Sequence, residues 1–574
     1  MPSSRPRPSV GESLALLRTS HREVLDDVAN GERVFWIGSG ISRDQVPPLE
    51  ELIGRVIAYL QAKADCYDVS DPHFVALQSI AHQFFSDEST VFDADPAGWV
   101  PSVNGLLSAV DEYSEILATE VEGEEDDYLL WDGIDVRETY GSPTIQPGPE
   151  HHLIAAMVCE RLVEAMVTTN WDGLLELAGK RAGATEARAV VAVHMTNSSF
   201  QTERGIAELN KIHGCAVLAR NDPDTYRKYL VARITDLVTW TSQEIFDLVI
   251  AKIEALFQHR RSVFLGLSVQ DYNLLTMMAR AAKAQSWAWN ATNPAYVFAV
   301  EELGQRQRQL LNIVYEREDR GLRPEIRTGS SLGMYSGPVL ACLVIHALRR
   351  KLEVGLERAS DYNAGTEVLD TLSAGLESLE AGLLRSVGSK LDVLVRVLQQ
   401  GMTRLLGRYF DPSDEPLDGS YRPLFAGTVH DCAISPEFKH LSLPELAVAL
   451  GLVGVGRAKD LWEPILGASG ELTDGTLILR SKLSHRRVML VLTRNESATS
   501  DFKASDLWQH GRETIVLLQT TGRRPTSAVR GLGAGIGAGR RVGTRRRQSW
   551  LADLQPALGA PSDLLSAFRA EVAL

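Results

Sequence analysis

Three stretches of this 574-residue chain end an apolar run on residues that could do chemistry. The first is "ERVFWIGSGIS", Glu32 to Ser42. Val34, Phe35, Trp36 and Ile37 read as a buried strand, and Gly38-Ser39-Gly40 then let the backbone turn tightly. A helix beginning near Pro48 follows, with Leu49, Leu52, Ile53, Val56 and Ile57 at helical spacing. Strand, small-residue turn and helix together make a place for a phosphate. The second stretch, "EAMVTTNWD", ends in Thr168, Thr169, Asn170, Trp171 and Asp172. The third, "SVFLGLSVQD", ends in Gly266, Leu267 and Ser268 with Asp271 close behind. Asn170 offers an amide that can orient a water or a hydroxyl and cannot titrate. His213, in "KIHGCAVL", can accept a proton near neutral pH. Singly, such residues are turn and loop residues. Their convergence on several strand ends is what gives them weight.

The elements that must position them alternate between strands and helices. Leu14 to Val28 reads as a helix, residues 50–120 are mostly helical in pattern, and the acidic run Glu120 to Asp127 reads as a solvated loop. A helix from Glu150 to Leu162 leads into the second strand, and its His151 and His152 read as capping or packing residues. A third apolar segment precedes "KIHGCAVL", and "AYVFAV" (295–300) gives a fifth strand. This alternation implies a parallel sheet covered on both faces, with its ligand at the carboxyl ends of the strands.

Past about residue 330 the pattern changes. "GPVLACLVIHALRRKLEVGLERA" reads as a helix. From Leu372 to Leu406 apolar residues recur at steps of three and four, which marks a long amphipathic helix or a helix pair, serving either a bundle or self-association. Gly388 and Gly401 interrupt any continuous coiled coil. "GTLILRSKL", "RRVMLVLTR" and "RETIVLLQT" read as strands of a C-terminal region. Residues 521–550 hold eight Arg, seven Gly and no acid, which suits a flexible loop or an anionic partner such as nucleic acid. The "GLGAGIGAG" within it is no second dinucleotide site, because the third Gly of that fingerprint would fall on Ala538. The expected fold is therefore α/β: a Rossmann-like parallel sheet over residues 1–330, a helical segment over 331–412, and an α+β region over 413–574.

A formal net charge of −15 argues against a protein that coats nucleic acid over its whole surface. No apolar stretch is long enough to cross a bilayer, and "MPSSRPRPSV" lacks the apolar core of a signal peptide, so a cytoplasmic protein is expected. The five cysteines form no CxxC pair and no zinc-ligand spacing.

The order Gly38-Ser39-Gly40-Ile41-Ser42, Thr168-Thr169-Asn170-Trp171-Asp172, His213-Gly214 and Gly266-Leu267-Ser268-Val269-Gln270-Asp271 resembles the sirtuin-like NAD-binding domain. The resemblance covers roughly residues 20–330. The chain departs from the protein-deacetylating sirtuins in three places. It has "RDQVPPLEEL" where they carry a PDFR-like element, it lacks their two CxxC pairs, and it places Asp271 where they pair with a peptide. It is more similar to the sirtuin-like NAD hydrolases of bacterial antiphage defence.

That resemblance implies NAD as substrate, no zinc, and cleavage of the nicotinamide–ribose bond to deplete cellular NAD on phage infection. It implies catalytic roles for Asn170 and His213. Gly38, Ser39, Gly40 and Ser42 would cradle the pyrophosphate, with Thr169 and Gly266 beside them. Asp172 would orient the loop or the ribose, and Ser268 and Asp271 would meet the adenosine ribose. It further implies a homo-oligomer, or a HerA-type ATPase or short Argonaute-type partner. A protein deacylase and a non-catalytic NAD- or ADP-ribose-sensing subunit are the alternatives.

Overall fold

The computed structural model describes residues 8–183, 189–202, 205–284, 287–359, 365–411, 419–465, 475–484, 486–510, 514–523, 546–557 and 561–572. Six strands form the first sheet: β1 (Arg33–Ile37), β2 (Ala165–Thr168), β3 (Ala189–His194), β4 (Gly205–Lys211), β5 (Arg261–Leu265) and β6 (Tyr296–Ala299). Every pairing is parallel, in the order β3-β4-β2-β1-β5-β6. The alternation of side chains along β1 explains its unbroken apolar run. Val34 and Trp36 join one core with Val167, Phe264 and Phe298, while Phe35 and Ile37 join another with Met166, Val263 and Leu265.

From β1 the chain moves to β2, out to the edge strand β3 and back to β4, and then crosses to β5 on the other side of β1. That reversal opens a crevice at the carboxyl ends of β1 and β5. A helical insertion between β1 and β2 stands beside it, with helices that include Leu49–Lys63, Pro72–Phe84, Val103–Ala109 and Tyr113–Leu117. Pro48 precedes the first of these as its N-cap. The insertion has its own core around Val56, Leu77, Phe92 and Leu130, and that core also takes in Trp171, Ala216 and Leu230 from segments that follow β2 and β4. The acidic run forms turns, exposed from Glu122 to Asp126, with Asp127 paired to Arg227 at 2.5 Å.

The structure corrects several expected boundaries. Leu14 to Val28 is not one helix but parts of two, Val10–Ser20 and Arg22–Ala29, broken at His21. Where one apolar segment is expected before "KIHGCAVL", two strands, β3 and β4, occur. The helix expected over 150–162 is Pro149–Cys159.

The C-terminal half begins with the helix Ser336–Arg358. The apolar stripe that follows belongs to a helix pair: Thr366–Val387 stops at Gly388, whose φ of 57° ends the helix, and Leu391–Arg396 starts the next stretch. Gly401 does not interrupt, lying inside a wide turn of helix over Val397–Met402. Leu372 and Leu376 are buried with Leu452 and Val455 of the helix Leu443–Ala458 in one core. A Cβ on Gly375 would overlap the Gly451 carbonyl, so these two helices cross backbone to backbone. The stripe is thus used inside the chain. A second sheet, in the order β11-β10-β9-β8-β7, is antiparallel across β7 (Trp462–Ile465), β8 (Leu477–Ser481) and β9 (Arg487–Thr493). It is parallel across β9, β10 (Thr514–Gln519) and β11 (Arg546–Trp550). Of the Arg/Gly-rich stretch 521–550, the last five residues are therefore strand rather than loop; residues 524–545, including "GLGAGIGAG", lie outside the described residues.

The two halves share one core, which runs from Val10 through Phe35 and Leu265 to Leu490 and Phe568. A buried ion pair ties them together. Lys351 Nζ lies 2.5 Å from Glu160 Oε2 and also donates to the carbonyls of Glu160 and Phe425, at 3.0 and 2.8 Å. Glu160 Oε1 accepts from the Tyr421 hydroxyl at 2.7 Å and the Leu424 N–H at 2.8 Å. Both charged side chains are essentially shut off from solvent, so every one of these bonds is needed to offset their desolvation. No described helix is long and apolar enough to cross a membrane.

Candidate active site

The turns after β1 and β5 are joined backbone to backbone. Gly38 N–H donates to the Leu265 carbonyl at 2.9 Å, and Gly40 N–H to the Gly266 carbonyl at 3.1 Å. A Cβ on Gly38 would stand 2.5 Å from the Gly266 oxygen, and one on Gly40 would stand 2.7 Å from the Gly266 Cα. Gly266 itself has φ +63°. The glycines are required by this contact, whatever else approaches them. Ser39, Gly40 and Ser268 are exposed at the rim of the crevice.

Ser42, two residues past that turn, is fully buried. Its hydroxyl lies 3.1 Å from His151 Nε2 and accepts from Asn170 Nδ2 at 3.2 Å. His151 Nδ1 accepts the Gly148 N–H at 3.1 Å, so the neutral ring carries its hydrogen on Nε2 and donates it to Ser42. Burial pushes the His151 pKa down to about 4, against the pull of the Asp172 carboxylate and with help from His152. Ser42 thus accepts two hydrogen bonds and holds the Asn170 amide in a fixed orientation. The Asn170 N–H is tied to Thr168 Oγ1 at 3.0 Å. Asn170 Oδ1 is buried and has no hydrogen-bond partner among the described residues. An acceptor left so, beside an amide so firmly held, fits an incoming hydroxyl or water. Thr169 N–H continues the ladder to the Ile37 carbonyl at 3.3 Å.

Asp172 Oδ1 accepts the Leu174 N–H at 3.1 Å at the start of the helix Leu174–Ala182. Its carbonyl accepts from Lys211 Nζ at 2.5 Å, and Lys211 also meets Glu176 at 2.9 Å. Burial works against the Lys211 ammonium, but Cys215, Glu176 and Asp172 outweigh it and keep the pKa above its ordinary value. The loop that carries Asn170 is therefore pinned to the end of β4.

His213 follows from the register. Thr168 of β2 is paired with Lys211 of β4, and the ladder continues through Ile212 N–H to the Thr168 carbonyl at 3.0 Å. Asn170 and His213 lie two residues beyond that pair, so they leave neighbouring parallel strands at the same level. Gly214, at φ +87°, turns the chain away at once; a Cβ there would stand 2.5 Å from the Tyr229 carbonyl. His213 Nε2 lies 2.8 Å from Asp271 Oδ2. Asp271 follows β5, and β2 and β1 lie between β4 and β5. β4 and β5 are thus three strand spacings apart, roughly 14 Å, and the six residues that follow β5 bring Asp271 back to within reach of His213. Trp240 Nε1 donates to the same Asp271 oxygen at 3.2 Å. Burial opposes the Asp271 carboxylate, yet the hydrogen bond and charge of His213 and the Leu274 and Asn273 N–H groups hold its pKa below the usual range.

The helical insertion approaches from the other side. Gln270 Nε2 meets Asp111 Oδ1 at 3.3 Å, and burial together with the Asp271 and Glu115 carboxylates pushes the Tyr113 hydroxyl up to about 12. Tyr140 packs edge-on against Trp171 with ring centroids 5.3 Å apart, and Trp171 donates to the Val231 carbonyl at 3.3 Å beneath the loop.

The expected residues thus fall into two clusters on neighbouring strand ends, Ser42 with Asn170 and His213 with Asp271. The Asp271 carboxylate is engaged by the protein itself. Three contributors went unread in the sequence. For His151 the expected capping describes one ring nitrogen, but the other reaches Ser42, 109 residues away. Trp240 and Tyr113 sit in no motif, and only the folded chain brings them to Asp271.

Residues 164–324 match the family model of a SIR2-like domain, which implies NAD binding. The match spans less than a third of the chain, takes in Asn170, His213 and Asp271, and begins after Ser42 and His151. Among curated proteins none matches the chain.

Proposed function

We propose that this chain is an NAD glycohydrolase that cleaves the nicotinamide–ribose bond to give ADP-ribose and nicotinamide. The observation that carries this reading is Asn170 Oδ1, a buried acceptor without a partner among the described residues, on a strand end level with His213. Nicotinamide leaves as a neutral base and the ribose C1′ becomes oxocarbenium-like, as in glycoside hydrolysis. The chain's tasks are then to hold the ribose, place a water and manage one proton. Asn170 Oδ1 accepts from a ribose hydroxyl or the attacking water, with its amide oriented by Ser42 and, through it, His151. His213 accepts the proton as the water adds. The exposed Ser39 and Gly40 line the rim where the pyrophosphate would lie.

In this reading the enzyme is an antiphage effector, silent until infection and then depleting cellular NAD. The resemblance to sirtuin-like defence hydrolases supports that role. The shared core and the Lys351–Glu160 clamp give the C-terminal half a direct grip on the helix that carries His151. A homo-oligomer, a HerA-type ATPase or a short Argonaute-type protein would deliver the signal, and the Arg/Gly-rich segment is the candidate nucleic-acid contact.

The test is nicotinamide release from NAD by purified full-length protein, alone and with candidate partners, with and without an acetyl-lysine peptide. Release independent of peptide, abolished by Asn170→Ala and His213→Ala, is expected. Release that requires the peptide would make the chain a deacylase, and no release with any partner would make it a sensor.

A further inference from the structure

Asp271 is surrounded by donors. Its Oδ1 accepts the N–H groups of Asn273 at 2.7 Å and Leu274 at 3.1 Å, and its Oδ2 accepts from Trp240 Nε1 at 3.2 Å with His213 Nε2 at 2.8 Å. Four donors fill the ordinary capacity of a carboxylate, which leaves little for an adenosine ribose. An ionised carboxylate can only accept, so His213 must carry a hydrogen on Nε2. In the neutral ring the lone pair then lies on Nδ1.

We infer that Asp271 and Trp240 are positioning residues, which lock His213 in the Nε2–H tautomer and make Nδ1 its proton-accepting nitrogen. This rests on the hydrolase reading for its chemical purpose, but not for its geometry. The arrangement is over-determined. Trp240 is fully buried, and its ring stands at 78° to the His213 ring with centroids 5.9 Å apart. Trp240 therefore restrains the ring by contact as well as through the shared oxygen. The loop that delivers Asp271 holds the buried, β-branched Val269 at φ 59°, a conformation kept only where the surroundings impose it.

The proton balance follows. A ribose hydroxyl or water gives its proton to Nδ1, and its oxygen keeps the electron pair. The ring becomes imidazolium, with Nε2–H still on Asp271, which stays ionised and stabilises the new charge. Trp240 adds a second donor to that oxygen and keeps it from rotating away.

The tautomer can be read without turnover. In full-length protein labelled with ¹⁵N-histidine, His213 is assigned by the signal lost in His213→Gln. In the neutral ring, a pyrrole-type Nε2 and a pyridine-type Nδ1 are expected. Asp271→Asn turns an amide N–H toward the ring, reverses the two nitrogens, and lowers kcat for nicotinamide release by about 10³- to 10⁴-fold with little change in KM. Trp240→Phe, which keeps the ring in place, is expected to lower kcat about tenfold to a hundredfold. A pyrrole-type Nδ1 in the wild type would overturn the inference, as would Asp271→Asn leaving tautomer and kcat unchanged. The two readings fail separately. The predicted tautomer without nicotinamide release sinks only the hydrolase, whereas release with the opposite tautomer sinks only the positioning role.

Discussion

Asn170 and His213 leave two neighbouring parallel strands at the same level, each two residues beyond the paired Thr168 and Lys211. A parallel ladder fixes that relationship before any side chain packs, since register partners sit one strand spacing apart. It sets an amide that cannot titrate one strand over from an imidazole that can, 43 positions apart by their residue numbers.

Ser42 is the first place to test this. Its hydroxyl accepts from both His151 and Asn170. Ser42→Ala leaves two buried donors without an acceptor, which is expected to cost about 1–3 kcal/mol in urea unfolding. Nicotinamide release is expected to fall at least tenfold, because the amide loses its orientation. Unchanged activity would separate Ser42 from the site.

His151 gives a pH signature. Its folded pKa is about 4, below the ordinary 6.5, because it is buried. A depressed histidine stabilises the fold fully above the unfolded pKa and loses that contribution as pH falls toward the folded value. The wild type is therefore expected to lose about 3 kcal/mol between pH 6.5 and 4 through this residue alone. Urea unfolding of His151→Gln across the same window is expected to lack that slope. Parallel slopes would refute a neutral, buried His151.

Much of this was legible in the sequence and some was not, for a physical reason. β1, β2, β5 and β6 were readable because a strand covered on both faces needs an unbroken apolar run, as in Val34 to Ile37. In the second sheet the unread strands β7 and β11 are the two edges. An edge strand buries less and tolerates charge, and the "RRQSW" of β11 looks like loop on composition. At the site, strand-end motifs marked Asn170, His213 and Asp271. No spacing could show that Asp271 meets His213, or that a helix-start histidine reaches Ser42. Those contacts come from loops crossing over the sheet.

Gly266 joins fold to site. Its φ of +63° and its contact with Gly40 leave no room for a side chain. Gly266→Ala is expected to cost more than about 1 kcal/mol. It should also weaken binding of ADP-ribose, measured by calorimetry, by separating the two turns. An alanine tolerated at full stability would contradict the backbone contact.

The clamp between the halves is a further test. Lys351→Ala leaves Glu160 buried without its cation, and a loss of about 3–5 kcal/mol is expected. Glu160→Gln with Lys351→Met should recover part of it, because neither charge then remains to be desolvated. A single variant as stable as the wild type would show that water reaches Glu160.

The most direct measurement is a crystal structure of the full chain with ADP-ribose bound. The account predicts that Asn170 Oδ1 and His213 Nδ1 both face the terminal ribose, each within hydrogen-bond reach of its hydroxyls or of one water beside C1′. A ribose touched by neither residue, or the two side chains opening into separate cavities, would contradict it.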